Sequence, residues 1–246
     1  MKKILLFIIL VFSLVGCSEA AAKLHMNNDE KRIMLGMMQD ATIDEFHLTG
    51  NVKINLNEKY QFDIKVDSYN LNDYILNYLT INNNNALVFV KDEKIYVNYQ
   101  GKSEYINLKD INNELLFKVY GLISTYINQL SLDSPEALDA LTIYSYFLGH
   151  QFVYHFTKDT LEKIVDDEFL NYISNDSFLT LTLNYTGNIL SSIDIKTNIK
   201  LQNNTHQGSI EGDLHLDLKF DKPKIPDVSK YQKVDKFSFI DTSNFA

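Results

Sequence analysis

Apolar and polar residues alternate with period two along most of this chain, and the alternation breaks only in its middle. Phe46, Leu48, Val52, Ile54 and Leu56 are separated by polar positions, and Tyr60, Phe62, Ile64 and Val66 repeat the pattern after Asn57-Glu58. Two such runs around a short polar turn predict a β-hairpin. The pattern continues through Tyr74–Ile81, turns at the asparagine run 82–85, resumes at Leu87–Val90, turns at Asp92-Glu93 and resumes at Ile95–Tyr99. Gly101-Lys102 closes this meander, with Tyr105–Leu108 as its last strand. Turns this short join antiparallel neighbours.

The period changes at Asn112. Leu115, Leu116, Val119, Leu122, Ile123, Tyr126, Ile127 and Leu130 fall three to four apart, the spacing of a helix with one broad apolar face. Ser134-Pro135-Glu136 predicts a second helix, with Ser134 as N-cap and Pro135 at the first helical position. It is expected to carry Leu138, Leu141, Tyr144 and Leu148 to a stop near Gly149. Gln151–Phe156 reads as a strand, and Thr157 as the cap of a third helix bearing Leu161, Ile164, Val165, Phe169 and Ile173. Period two then returns in Leu179–Tyr185, Ile193–Leu201 and Ile210–Phe220, before Pro223 and Pro226 end the regular structure. A short first helix is expected around Ile33–Ile43. The order defines an α+β fold with a mostly antiparallel sheet, one apolar face to cover, and two or three helices to cover it.

The opening of the chain obeys neither period. Met1-Lys2-Lys3 precedes an apolar run from Ile4 to Val15, and Leu14-Val15-Gly16 leads to Cys17, the only cysteine among 246 residues. A basic start, a short apolar stretch and small residues before a cut are the parts of a secretory signal. About a dozen apolar residues fall short of the roughly 20 that span a bilayer. Leu-Val-Gly-Cys resembles the lipobox of bacterial lipoproteins. That resemblance implies removal of residues 1–16, a diacylglyceryl group on the Cys17 thiol, and a protein exported and lipid-anchored to the outer face of the cell membrane. Residues 17–30 then read as lipidated cysteine and tether, 31–228 as one α+β domain, and 229–246 as a C-terminal arm, either loose or an edge strand.

Loss of residues 1–16 removes Lys2 and Lys3 and moves the formal charge from −9 to −11. A surface this acidic does not neutralise phosphates and is repelled by anionic headgroups, so a nucleic-acid partner is excluded and the membrane contact is assigned to the lipid. One cysteine allows no internal disulfide, and stability must come from packing. The 15 Phe and 15 Tyr supply a core.

A short helix near 30–42, the strand opening Phe46-His47-Leu48-Thr49-Gly50, a meander, a central helical insertion and long closing strands ending at Pro223-Lys224-Ile225-Pro226 together resemble the LolA/LppX/LprG-type lipoproteins and lipoprotein carriers of bacterial envelopes. The resemblance covers most of the chain after Cys17 and rests on element order, with no catalytic signature to match. It implies a sheet curved into a half-barrel, helices across its concave face, and an apolar ligand, a lipid or acyl chain, held between them. The candidate lining is then Phe46, Leu48, Phe62, Ile64, Leu181, Leu183, Ile195 and Leu216 from the strands, with Leu122, Tyr126 and Leu141 from helix faces. The same side chains could instead fill the core themselves.

The candidate residues for chemistry are scattered. His150 and His155 are five apart, not the i, i+4 spacing of a helical zinc pair, and His215 alternates with Leu214 and Leu216 and so faces away from the apolar row. No metal site or cofactor is expected. Asp29-Glu30 and Asp166-Asp167-Glu168 read as solvated helix positions. Gly208-Ser209-Ile210-Glu211-Gly212 lacks the spacing and the following helix of a nucleophile elbow. No enzyme is expected. Tyr69, Tyr74, Tyr78, Tyr96, Tyr99 and Tyr105 crowd the first strands. Tyrosine is a favoured strand former, but exposed tyrosines with an acidic face would also suit docking of an envelope protein or glycan, the alternative to an apolar ligand.

Overall fold

The computed structural model describes residues 21–38, 43–56, 60–110, 132–164, 173–202 and 207–238. In chain order these form β1 (Ala22–Leu24), α1 (Asn28–Met37), β2 (Phe46–Leu56), β3 (Tyr60–Leu71), β4 (Tyr74–Ile81), β5 (Asn84–Lys91), β6 (Lys94–Tyr99) and β7 (Lys102–Asn107). There follow α2 (Pro135–Ala140), β8 (Leu141–Tyr146), β9 (Gly149–Thr157), α3 (Lys158–Ile164), β10 (Phe178–Thr186), β11 (Ile189–Gln202), β12 (Gln207–Asp217) and β13 (Gln232–Lys233). A single 3-10 turn, Leu108–Asp110, ends β7.

The thirteen strands make one open sheet in the order β1-β8-β9-β10-β11-β12-β2-β3-β4-β5-β6-β7-β13. Every neighbouring pair is antiparallel except β13 with β7. The first meander, β2–β7, and the later strands, β8–β12, are joined where β12 pairs with β2, Leu216 opposite Leu48. The expected tight turns are present at Asn82-Asn83 (φ 47° and 68°) and Asp92-Glu93 (φ 50° and 57°). Positive φ at both central residues is the geometry that matches strand twist, and Asn and Asp tolerate it.

The helices begin where their caps dictate. Asn27 accepts from the Glu30 N–H at 3.0 Å while the Glu30 carboxylate accepts from the Asn27 N–H at 2.8 Å, so α1 starts earlier than its apolar residues suggest. Ser134 Oγ accepts from the Ala137 N–H at 3.2 Å, with Pro135 at the first helical position. The expected continuation of this helix to Gly149 is corrected. Leu141 leaves the helix and opens β8, because Leu141-Thr142-Ile143-Tyr144 also alternates and its β-branched and aromatic residues pair with β9. Gly149 is a strand residue, not a helix stop. A Cβ there would lie 1.8 Å from the Tyr185 carbonyl oxygen, so β9 and β10 approach too closely for any side chain.

Part of the stretch expected to be a tether also belongs to the sheet, since Ala22–Leu24 pairs with Ile143–Ser145 of β8. Cys17, the turn at Asn57-Glu58, the expected helix over 112–130 with Leu122 and Tyr126, and Val165 and Phe169 lie outside the described residues.

Register assigns every strand residue to one of two faces. One is mainly apolar, and α1, α2 and α3 lie on its β8–β10 end. There Ala137 and Leu138 of α2 close over Leu141, Ile143, Phe152, Tyr154, Phe156 and Leu183, with Met34 and Leu35 of α1 and Leu161 of α3 packed against them. Tyr154 is fully buried, its hydroxyl donating to the Leu132 carbonyl at 3.3 Å, and burial pushes the phenol well above its ordinary pKa.

The chain after β12 is a strap, and of the two forms expected for its tail, loose arm or edge strand, residues 232–233 take the second. It crosses the opposite face, with Phe220 6.0 Å from both His47 and Tyr69 and Tyr231 edge-on to Tyr96 at 5.6 Å. It adds β13 alongside β7 and then turns onto the apolar face, where Val234 and Phe237 pack with Val97 and Ile106.

Candidate functional site

The nine described residues expected to line a cavity share the apolar face. Leu48 pairs with Leu216, Ile54 with Phe62, and Val52 with Ile64, while Phe46 is two residues from Leu48. Ile195 pairs with Leu214 on one side and with Leu181 on the other, Leu183 pairs with Ile193, and Leu181 faces Tyr154, which faces Leu141. Leu141 reaches this face as a strand residue instead of a helical one.

Burial divides the face. Leu141 and Leu183 are in the helix-covered core. Phe46, Leu48, Phe62, Ile64, Leu181, Ile195 and Leu216 are half-buried, and among the described side chains of β12 and β2 none is fully buried. The central strands thus carry an aliphatic row bounded by one core at β8–β10 and a smaller one at β6–β7. Ser68 and Asn77 interrupt it, paired side chain to side chain at 2.5 Å. An apolar surface with a few fixed polar groups suits an apolar ligand with a small polar end.

The opposite face carries a polar chain across five strands. Tyr146 donates to Gln151 Oε1 at 3.0 Å, Gln151 Nε2 donates to Asn184 Oδ1 at 2.8 Å, and Asn184 Nδ2 donates to Asp194 Oδ2 at 2.7 Å. Asp194 Oδ1 lies 2.6 Å from His215 Nδ1, and His215 Nε2 lies 3.4 Å from Asp217 Oδ1. The hydrogen bond to Asp194 and the charges of both carboxylates raise the His215 pKa above its ordinary value. With a carboxylate at each nitrogen, only the doubly protonated ring satisfies both contacts. Nearby, His47 Nε2 lies 2.7 Å from Asp67 Oδ1 and the ring stacks on Tyr69 at 4.1 Å.

These contacts hold the sheet together and present no nucleophile beside a base. Ser209 Oγ accepts from Asn55 Nδ2 at 3.1 Å and has no histidine neighbour in the sheet register. His150 lies on the apolar side of β9, whereas His155 lies on the other side, 2.9 Å from Thr180 Oγ1. Among the described residues, no three His, Cys, Asp or Glu side chains are grouped to hold a metal ion.

The tyrosines divide by role. Tyr69, Tyr96 and Tyr105 belong to one cross-strand row with Leu76 and Phe89, and Tyr74 packs edge-on against Phe89 at 5.6 Å. Tyr99 packs with the Val97 core. Tyr78 is the exposed one of the six, at 40%, beside Asp67, Asn85 and Asn98 in an open groove of the polar face.

Sequence reasoning missed the polar chain and the strap. The signal for the first was present, since Asn184, Asp194, His215 and Asp217 all occupy positions that alternate with aliphatics.

The fold and its faces define a mostly antiparallel α+β protein whose sheet has one mainly apolar face and an opposite face that is polar over β8–β12 and aromatic over β3–β7. No protein-family model matches the chain, and no curated protein is significantly similar to it. Among the described residues no helix is long and apolar enough to cross a membrane.

Proposed function

We propose that this is a lipid-anchored lipoprotein of the bacterial cell envelope, without enzymatic activity, that binds or carries an apolar ligand such as a lipid or acyl chain. The observation that supports the ligand is the half-buried aliphatic row of the central strands, on which Phe46, Leu48, Phe62, Ile64, Leu181, Ile195 and Leu216 lie together. Curved into a half-barrel, with Leu122 and Tyr126 facing it, this row would bury an acyl chain at ~0.8 kcal/mol for each methylene removed from water. The address rests on Leu14-Val15-Gly16-Cys17. The likeness to LolA/LppX/LprG-type proteins rests on element order.

Native mass spectrometry of residues 18–246, purified without detergent and paired with solvent extraction, tests the ligand. A stoichiometric adduct that extracts as lipid is expected. A chain that stays bare after incubation with envelope lipids would move the reading to the alternative, a surface module docking an envelope protein or glycan. The observation favouring that alternative is the groove beside Tyr78. Labelling with a palmitate analogue tests the anchor, and Cys17→Ala is expected to abolish both label and membrane retention.

A further inference from the structure

The sheet has an apolar corner that its fold does not use. The β8–β9 turn carries Phe147, 90% exposed, and Leu148, 64% exposed, and the neighbouring β10–β11 connection ends in Ile189, 51% exposed. The two turns are tied together by the Gly187 N–H, which donates to the Leu148 carbonyl at 2.7 Å. Tight turns normally take polar residues, and the other hairpins at this end of the sheet turn on Asn72-Asp73 and Asp92-Glu93. The two turns themselves carry no carboxylate, since the segments 146–149 and 186–189 contain no Asp or Glu.

The chain enters the sheet at this same corner. Ala22 of β1 lies opposite Ser145 of β8, two residues from Phe147. Cys17 precedes Ala22 by five residues, a separation of at most about 18 Å in extended chain. A lipid on Cys17 therefore brings the bilayer within reach of Phe147 and Leu148, the two most exposed large apolar side chains among the described residues, on turns that carry no acid.

We propose that Phe147, Leu148 and Ile189 form a membrane-inserting tip that seats one corner of the sheet in the lipid beside the Cys17 anchor. The proposal rests on the reading of Cys17 as the lipidated residue. The partner is the hydrocarbon border of the bilayer, where apolar side chains displace water and an aromatic ring sits readily. A second contact point would replace free swivelling about a short tether with a fixed orientation.

The chain contains no tryptophan, so Phe147→Trp introduces a single indole at the tip. The full chain carrying this change is produced in a bacterium that processes lipoproteins, checked by mass spectrometry for acylation of Cys17, and placed in phosphatidylcholine vesicles brominated in their acyl chains. The expected result is a blue-shifted emission quenched about twofold or more, because bromine quenches only indoles among the chains. Lys163→Trp on the exposed side of α3, away from this corner, is expected to stay unquenched, and adding Leu148→Asp to the first variant should restore its emission. Acylated, membrane-bound protein with an unquenched indole at 147 would overturn the tip and leave the lipoprotein reading standing. An unmodified Cys17 would overturn both.

Discussion

His215 Nδ1 and Asp194 Oδ1 are 2.6 Å apart on adjacent strands β12 and β11, midway along the polar chain that starts at Tyr146. The pairing favours the charged ring, so the folded-state pKa lies above the unfolded one. Its contribution is therefore fully present below the unfolded value near 6.5 and is lost as pH rises through the folded value. The ring is 42% exposed, and solvent screening limits the effect to about 0.5 kcal/mol. The urea midpoint is expected to fall slightly from pH 6 towards pH 8 in the parent, with a flatter profile in His215→Gln.

The two ends of the apolar face should respond differently to truncation. Phe152 is fully buried under the helices, and Phe152→Ala is expected to cost about 3–5 kcal/mol. Ile195 is half-buried, and Ile195→Thr should cost less than about 1.5 kcal/mol while lowering lipid occupancy. Urea denaturation and extraction of bound lipid measure the two effects separately.

Gly149→Ala places a Cβ where the Tyr185 carbonyl oxygen already stands. Backbone cannot yield as a flexible side chain can, so a loss of roughly 3 kcal/mol is expected by thermal or urea unfolding, with β9 and β10 forced apart. By contrast, Ser134→Ala at the start of α2 removes one cap hydrogen bond and should cost about 1 kcal/mol.

The strap should matter to stability well beyond its length. Phe237 is buried against Val97 and Ile106, and Phe237→Ala is expected to cost about 3 kcal/mol, near the low end for a buried aromatic. Ending the chain at Val228 removes Tyr231, Val234 and Phe237 together and should lower the unfolding midpoint further. Circular dichroism of the shortened chain checks this.

Much of the sheet was legible because a strand's side chains alternate strictly, so one apolar row in sequence becomes one face in space. Nine lining candidates on one face follow from that rule. Position 141 shows where it fails. Leu138, Leu141, Tyr144 and Leu148 fit a helix, but Leu141 and Ile143 equally fit a strand, and pairing with Tyr154 and Phe152 decided between them. The same ambiguity hid the tip, because Leu148 read as a helical core position when it is 64% exposed in a turn. Ala22–Leu24 was illegible as a strand, being too short to show any period and held only by a partner more than a hundred residues away, whereas Gln232–Lys233 falls in the tail read as a loose arm or edge strand and takes the second form.

Those two short strands have a further consequence. Among the described residues they are the outermost strands of the sheet, three and two residues long. A neighbouring copy finds almost nothing there to extend by hydrogen bonding. If the chain is anchored to a membrane as proposed, where copies collide side by side far more often than in solution, such stunted rims would disfavour edge-to-edge assembly.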